Sequence, residues 1–219
     1  MKKTIIIPII CLALFAAIVF AGYYTGKLSY TSAKRQENRY NGTIEFQPSD
    51  KDTDADGIED RTDLLQGAID YVATRPHYKS KYYETGYPND TYGVCTDVVS
   101  NAMKAAGFDL MDLVQKDIQK NPDAYEIDEP DPNIDFRRVR NLKVFFRNNA
   151  IEETIDVTDI DNWQGGDIVI FEGHIGIVSD RRNTNGVPYV IHHNSTLQTG
   201  YEQDILEKRD DLVAHYRMP

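Results

Sequence analysis

Apolar residues run almost unbroken from residue 4 to residue 22, behind Lys2 and Lys3. A run of that length after a charged start predicts a transmembrane helix or an export signal, so 1–22 is expected to be a signal anchor or signal peptide. The apolar pattern then disappears, and the polar stretch 23–50 is predicted to be a flexible tether. From Leu64 the spacing becomes helical. Leu64, Leu65, Ala68, Ile69 and Val72 fall on one face, predicting a helix over 62–74 that is capped by Thr62 or Asp63 and ended by Pro76. Val98, Val99, Ala102, Met103 and Ala106 repeat the spacing in a helix that opens at Cys95 and closes at Gly107. A third helix is predicted over 110–120. A fourth, entered from Asn133, turns Val139, Leu142, Phe145 and Phe146 inward. After Trp163 the pattern changes to short strands at 168–171, 174–179, 189–193 and 212–216, with turns at Glu172-Gly173 and Asn185-Gly186. Helices first and then strands on short turns predict an α+β domain over 64–219, its helices packed on a small antiparallel sheet.

Composition narrows the function classes. A chain of 219 residues with 41% hydrophobic content supports one domain with a real core. The formal net charge of −11 argues against a nucleic-acid partner, which requires excess Lys and Arg. Lys2 and Lys3 are expected to stay cytoplasmic, with a membrane contact through residues 4–22 and the remainder extracytoplasmic. The two cysteines are Cys11, inside the apolar segment, and Cys95, so a structural disulfide is not expected and Cys95 stands out as a lone exported thiol.

Acidic residues concentrate at 51–63. Asp52, Asp54 and Asp56 alternate, Gly57 supplies a turn, and Asp60 and Asp63 follow at steps of three. Calcium takes many oxygen ligands, and alternating carboxylates around a glycine turn can wrap it. The spacing resembles a thrombospondin type-3 calcium repeat, which implies a structural calcium ion held by Asp52, Asp54, Asp56, Asp60 and Asp63. It departs from an EF-hand, because Asp63 and not Glu stands at the twelfth position. The alternative is a solvated acidic linker that caps the next helix. Arg137 and Arg138 are expected to pair with the domain's own acids, with a ligand carboxylate as the other possibility.

The candidate chemistry centres on Cys95. The first turn of a helix presents free N–H groups and a positive dipole end, which favour a thiolate. A free cysteine is as readily a small core residue, so the histidines decide. His174 opens a strand after a glycine turn, and His192 ends the neighbouring strand. In an antiparallel hairpin those two positions come together, and a helix on the sheet can present Cys95 to them. The predicted roles are Cys95 as nucleophile, His174 as base and His192 as the group that orients it. Tyr83 or Tyr87 is placed to donate a hydroxyl to an oxyanion. His193 should point to the opposite face, and His77 and His215 have no supporting context. A zinc site on Cys95, His174 and His192 lacks a close-spaced ligand pair.

Gly93-Val-Cys95-Thr-Asp, Gly166-Asp167-Ile-Val-Ile-Phe171, His174-Ile-Gly176-Ile-Val and Tyr189-Val-Ile-His192 resemble the papain-like cell-wall peptidases of the NlpC type. Gly86-Tyr-Pro, Asp131-Pro-Asn-Ile-Asp-x-Arg-Arg-Val and the ordered set across residues 60–217 more closely resemble the bacterial domain-of-unknown-function family 1287. The first resemblance implies a papain-like fold, a Cys95–His174–His192 triad and Tyr83, in Tyr-x-x-Gly, at the oxyanion site. It implies an exported cysteine hydrolase acting on amide bonds of peptidoglycan or another peptide outside a Gram-positive membrane, with no cofactor required for catalysis. The Val-Cys-Thr-Asp around Cys95 departs from the usual Asp-Cys-Ser-Gly, which bears on substrate choice. Two further readings stay open: acyl or amide transfer by the same triad, and a non-catalytic, calcium-dependent cell-wall binding module.

Overall fold

The structure, a computed structural model, describes residues 3–24 and 31–219, with the side chains of the first segment described over 8–22. Helix α1 (Lys3–Tyr24) fills the expected apolar run, with Pro8 near its start. Among the described residues no helix is long and apolar enough to cross a membrane.

Helix α2 (Asp60–Ala73) starts earlier than its apolar spacing predicts. Its cap is Glu59, whose carboxylate accepts from the N–H groups of Thr62 at 2.7 Å and Arg61 at 3.1 Å. The chain then forms a two-residue strand β1 (His77–Tyr78), which pairs in parallel with β2 (Tyr92–Gly93) across the tyrosine-rich loop. Helix α3 (Cys95–Ala105) follows directly. It ends in a Schellman turn: Gly107 sits at φ +78, Phe108 N–H donates to Met103 O at 2.9 Å, and Gly107 N–H donates to Lys104 O at 3.2 Å. Gly67 lets α2 and α3 touch, because a Cβ there would lie 2.4 Å from Ala105 Cβ.

Helix α4 (Leu110–Lys120) is capped by Asp109. The fourth predicted helix is broken in two, α5 (Pro132–Asp135) and α6 (Val139–Asn149). The break lies where Asn141 Nδ2 donates to Asp135 O at 3.0 Å and Arg137 turns away into the core.

Six strands then form one antiparallel sheet: β3 (Ile151–Glu152), β4 (Ile168–Phe171), β5 (His174–Arg182), β6 (Pro188–Ile191), β7 (Glu202–Gln203) and β8 (Leu212–Arg217), in the order β3-β8-β4-β5-β6-β7. Strand alternation divides the core. Ile168, Ile170, Ile175 and Ile177 face the helices and meet Leu64, Val98, Val99 and Phe146. Val169, Phe171 and Val178 face the other way, onto Trp163, Val187 and Leu206. Asp167, just before β4, is tied to β8: Arg217 donates from Nε to Oδ1 at 2.9 Å and from Nη2 to Oδ2 at 2.7 Å, and His215 Nε2 lies 2.9 Å from Oδ2. The His215 ring stacks on Trp163 at 3.9 Å. His215 therefore has a structural place that its sequence neighbourhood does not reveal.

The predicted tether is corrected over its described part. Residues 31–50 form an irregular strap fixed across the sheet's β7 edge and the chain's end. Ser32 N–H donates to Thr199 O and Tyr201 N–H to Ser32 O, Arg39 N–H donates to Arg182 O, and Ser49 Oγ donates to Pro219 O. Arg35 Nε donates to both oxygens of buried Glu202 at 3.0 and 3.1 Å. Polar residues hold the strap through hydrogen bonds and one buried carboxylate, so no apolar periodicity marks it. Residues 23–24 of that tether end helix α1, and 25–30 lie outside the described residues.

Candidate active site

The site is built on the β4–β5 hairpin. The apolar run of β4 ends at Phe171, Glu172 and Gly173 turn the chain, and His174 pairs with Phe171 at the start of β5. The His174 ring stacks on Phe171 at 6.0 Å, and the Arg209 guanidinium covers the same phenyl ring at 4.4 Å. β6 runs antiparallel to β5 with Ile177 opposite Ile191, which delivers His192 to the level of Gly176. Gly176 has no side chain to fill that space: a Cβ there would lie 2.9 Å from Ile191 O and 3.2 Å from His192 Cβ. The two imidazoles meet edge to face, with His174 Nε2 2.9 Å from His192 Nδ1. Both rings are buried. His174 Nε2 is thereby engaged, and Nδ1 is the nitrogen left for a reacting group.

Cys95 is the first residue of α3. Val94 before it is extended, and its N–H donates to Asp97 Oδ2 at 2.8 Å. Valine offers no side-chain acceptor, so this is half of a capping box. Arg137 clamps the same carboxylate, with Nε donating to Oδ1 at 2.8 Å, Nη2 to Oδ2 at 2.9 Å, and Nη1 to Lys81 O at 2.6 Å. The helix start is thus fixed from two directions. The Cys95 sulfur faces the backbone N–H of Ile175, the residue after His174, and the N–H of Thr96. These peptide groups favour negative charge on the sulfur.

Electrostatics keep the resting site uncharged. Cys95 is half-buried, and desolvation pushes its thiol up to about 11, against the N–H groups of Ile175 and Thr96 and with the help of Asp97. Desolvation lowers His174 to about 4, with Arg209 adding to the effect, and lowers His192 to about 3, with His174 adding to it. A thiol raised above neutrality keeps its proton, and imidazoles lowered below it stay neutral. The thiolate expected from the helix N-terminus is not the resting form, because the desolvation cost exceeds the gain from the first-turn donors.

The structure brings His174 and His192 into contact and sets Cys95 beside the strand that His174 begins. Tyr83 is engaged by two side chains. Its hydroxyl donates to Asp90 Oδ1 at 2.8 Å, and its ring lies under the Arg137 guanidinium at 5.0 Å. Tyr87 is likewise engaged, its hydroxyl donating to Asp109 Oδ1 at 2.8 Å. The tyrosine that senses Cys95 is Tyr78 on β1, whose hydroxyl is pushed up by burial and by the neighbouring sulfur. No periodicity marks Tyr78, because its position depends on the parallel pairing of Tyr78 with Gly93 across a long loop. His193 packs between Tyr78 at 5.2 Å and Tyr201 at 5.1 Å, and neither ring nitrogen has a partner. Behind His192, the side chain of Gln203 favours the charged ring, and a cavity of about 280 Å³ opens between β7 and the strap, lined by Arg35, Gln36, Arg39, Thr199 and Gln203.

The acidic loop divides. Carboxylate oxygens of Asp52, Asp54 and Asp56 lie within 4.8 Å of one another, all exposed. Asp60 turns inward, with its two oxygens accepting from Thr53 N–H and Thr53 Oγ, each at 2.7 Å. Asp63 is buried on α2, and its Oδ2 has no hydrogen-bond partner.

A helical layer ahead of a six-stranded antiparallel sheet, with Cys95 at a helix start and a buried histidine pair on neighbouring strands, defines an α+β protein. The family described as Domain of unknown function (DUF1287) matches residues 65–218, and the chain belongs to it. It is also 32% identical over 167 residues to "Uncharacterized protein YijF" of Escherichia coli (strain K12), an alignment that covers 70% of this chain and 80% of that protein. No solved structure matches the chain.

Proposed function

We propose that this protein is a papain-like thiol hydrolase of the NlpC type that cleaves an amide bond in a peptide of the bacterial cell wall. The observation that carries the reading is the 2.9 Å His174–His192 hydrogen bond at the mouth of the hairpin that also meets the Cys95 sulfur at Ile175. In this reading His174 donates its Nε2 proton to His192 Nδ1 and uses Nδ1 as the base. Because the resting thiol is neutral, its proton moves to His174 as sulfur attacks the carbonyl carbon. In this reading the N–H of Ile175 and the Tyr78 hydroxyl stabilise the developing negative charge. His174 then returns the proton to the leaving amine, and water attacks the thioester by the reverse path, restoring the thiol. The substrate lies outside the cytoplasmic membrane, with α1 serving as signal or anchor.

One feature favours a second reading, a binding module without catalysis: a thiol pushed to about 11 is poorly nucleophilic near neutral pH. Digestion of purified peptidoglycan separates the two readings. Wild type releases new muropeptides, Cys95→Ala releases none, and His192→Ala is slower by about 10²–10⁴-fold, the range of general acid–base assistance. Identical profiles for wild type and Cys95→Ala would sink the hydrolase.

A further inference from the structure

Helix α6 carries cations that the core does not use. Arg140, Lys143 and Arg147 recur at steps of three and four along one face, and all three are exposed. Among the described residues no acid stands within ion-pair distance of any of them, and none of the three side chains makes a hydrogen bond. A chain with 35 acidic against 24 basic residues has acids to spare, so three neighbouring cations without one call for an anion from outside. Arg209, the other cation at the β4–β5 hairpin, is by contrast held by Asp211 at 2.8 and 2.5 Å. A cavity of about 250 Å³ lies between α6, β8 and the hairpin turn. It is lined by Arg140 and Lys143, by apolar Val139, Ile170 and Val213, and by Glu172. Ile170 pairs with Ile175 across the hairpin, and the N–H of Ile175 faces the Cys95 sulfur. Neighbouring strands lie about 4.8 Å apart, so the cavity begins one strand away from the sulfur. It also borders the Glu172-Gly173 turn from which His174 emerges.

We propose that this cavity is a substrate subsite for a residue bearing a free carboxylate, which Arg140 and Lys143 hold. The inference rests on the hydrolase reading of Cys95 and His174. The apolar lining takes the carbon chain of that residue, and the two cations make charge-assisted hydrogen bonds to its carboxylate. The volume falls below the roughly 300–1,000 Å³ of a complete small-molecule site, so the cavity admits one residue of a longer ligand. Glu172 argues against a polyanion. A phosphate polymer or an anionic membrane surface would bring further negative charges against its carboxylate, whereas a single carboxylate can lie on the Arg140–Lys143 side.

The probe is purified peptidoglycan stripped of phosphate polymers with hydrofluoric acid, used as such and with its carboxylates amidated by carbodiimide and methylamine. Binding of the full chain carrying Cys95→Ala is read by cosedimentation. Arg140→Gln with Lys143→Gln in that background weakens binding by about tenfold or more, the range for a lost hydrogen bond to a charged group. Both positions are exposed, and a circular dichroism spectrum matching the parent checks that the fold is kept. Amidation weakens the parent by a similar factor and leaves the variant unchanged, because both changes remove the same interaction. Lys116→Gln with Lys120→Gln removes equal charge from exposed positions on α4 and keeps binding within about twofold. Equal binding by parent and variant, full binding after amidation, or no binding to the stripped polymer overturns the subsite. Muropeptide release by the chain with Cys95 intact separates this proposal from the hydrolase. Release at limiting substrate that Arg140→Gln with Lys143→Gln leaves unchanged overturns the subsite alone. Carboxylate-dependent binding without release overturns the hydrolase and leaves a carboxylate-binding site.

Discussion

Arg137 grips Asp97 with two parallel hydrogen bonds, of 2.8 and 2.9 Å, and both side chains are buried. The pair sits two residues beyond Cys95 and holds the carboxylate that also accepts the Val94 N–H. Its function is positional: it fixes where α3 begins, and hence where the sulfur points. Removing one member strands the other's charge in the core. Arg137→Ala is therefore expected to lower stability by about 3–5 kcal/mol. Arg138→Ala is the control, because that side chain is 45% exposed and stands 4.0 Å from Asp135. It should cost no more than about 1 kcal/mol. Urea unfolding of the two variants checks both values, and similar midpoints would show that the clamp contributes little.

The raised thiol makes a kinetic prediction. With Cys95 pushed to about 11, the thiolate fraction, and with it the rate of alkylation by iodoacetamide, should grow about tenfold per pH unit between pH 7 and 10. Peptide mapping by mass spectrometry separates Cys95 from Cys11, which is exposed. A rate that reaches its plateau by pH 8 would mean a preformed thiolate–imidazolium pair and would replace the concerted proton transfer proposed above.

The sequence announces the elements that bury apolar faces. α3 and the strands β4 to β6 lie where their spacing puts them, because a core-facing stripe must recur at the period of its backbone. The meeting of His174 with His192 was legible for the same reason: strand order and a tight glycine turn bring a strand's start to its neighbour's end. What was not legible is held by polar contacts at long range. The strap reads as a tether because it is fixed through backbone groups and Glu202, which composition does not register. Tyr83 has the right local spacing for an oxyanion donor, yet Asp90 and Arg137 claim its hydroxyl and its ring. Asp60 fits the metal spacing, but Thr53 takes both of its oxygens. In each case the fold supplies a partner that position along the chain does not show.

The strap supplies a test of its own. Lys34, Arg35 and Arg39 are trypsin sites in a segment that a tether would expose to the protease. Because 31–50 is bonded to Thr199, Arg182 and Glu202, brief digestion of the native protein should leave a core that retains residues 31–50. In Glu202→Ala the Arg35 bonds are lost, and cleavage at Arg35 should become at least about tenfold faster, following the local opening equilibrium. Mass spectrometry of the resistant fragment decides the matter. Wild-type cores that begin at or after Asp52 would restore the flexible tether.

His193 is fully buried, neither ring nitrogen has a partner, and burial lowers it to about 3. In the unfolded chain the same ring titrates near 6.5. Below that pH the unfolded state binds a proton that the folded state refuses, so acid favours unfolding. The contribution of His193 to stability is therefore complete above about pH 6.5, is lost as pH falls, and stops changing only below about 3. Within that window a single such group tilts the unfolding free energy by up to about 1.4 kcal/mol per pH unit. His174 and His192, lowered to about 4 and 3, act in the same direction, and Asp63, raised to about 6, acts against them, so the difference between variant and wild type isolates His193. His193→Phe keeps an aromatic ring between Tyr78 and Tyr201 and removes one titrating group. Urea unfolding measured from pH 7 to 4 should show the variant's slope shallower by about 1.4 kcal/mol per unit. An unchanged slope would mean that His193 protonates in the folded state, through an opening between the two tyrosines.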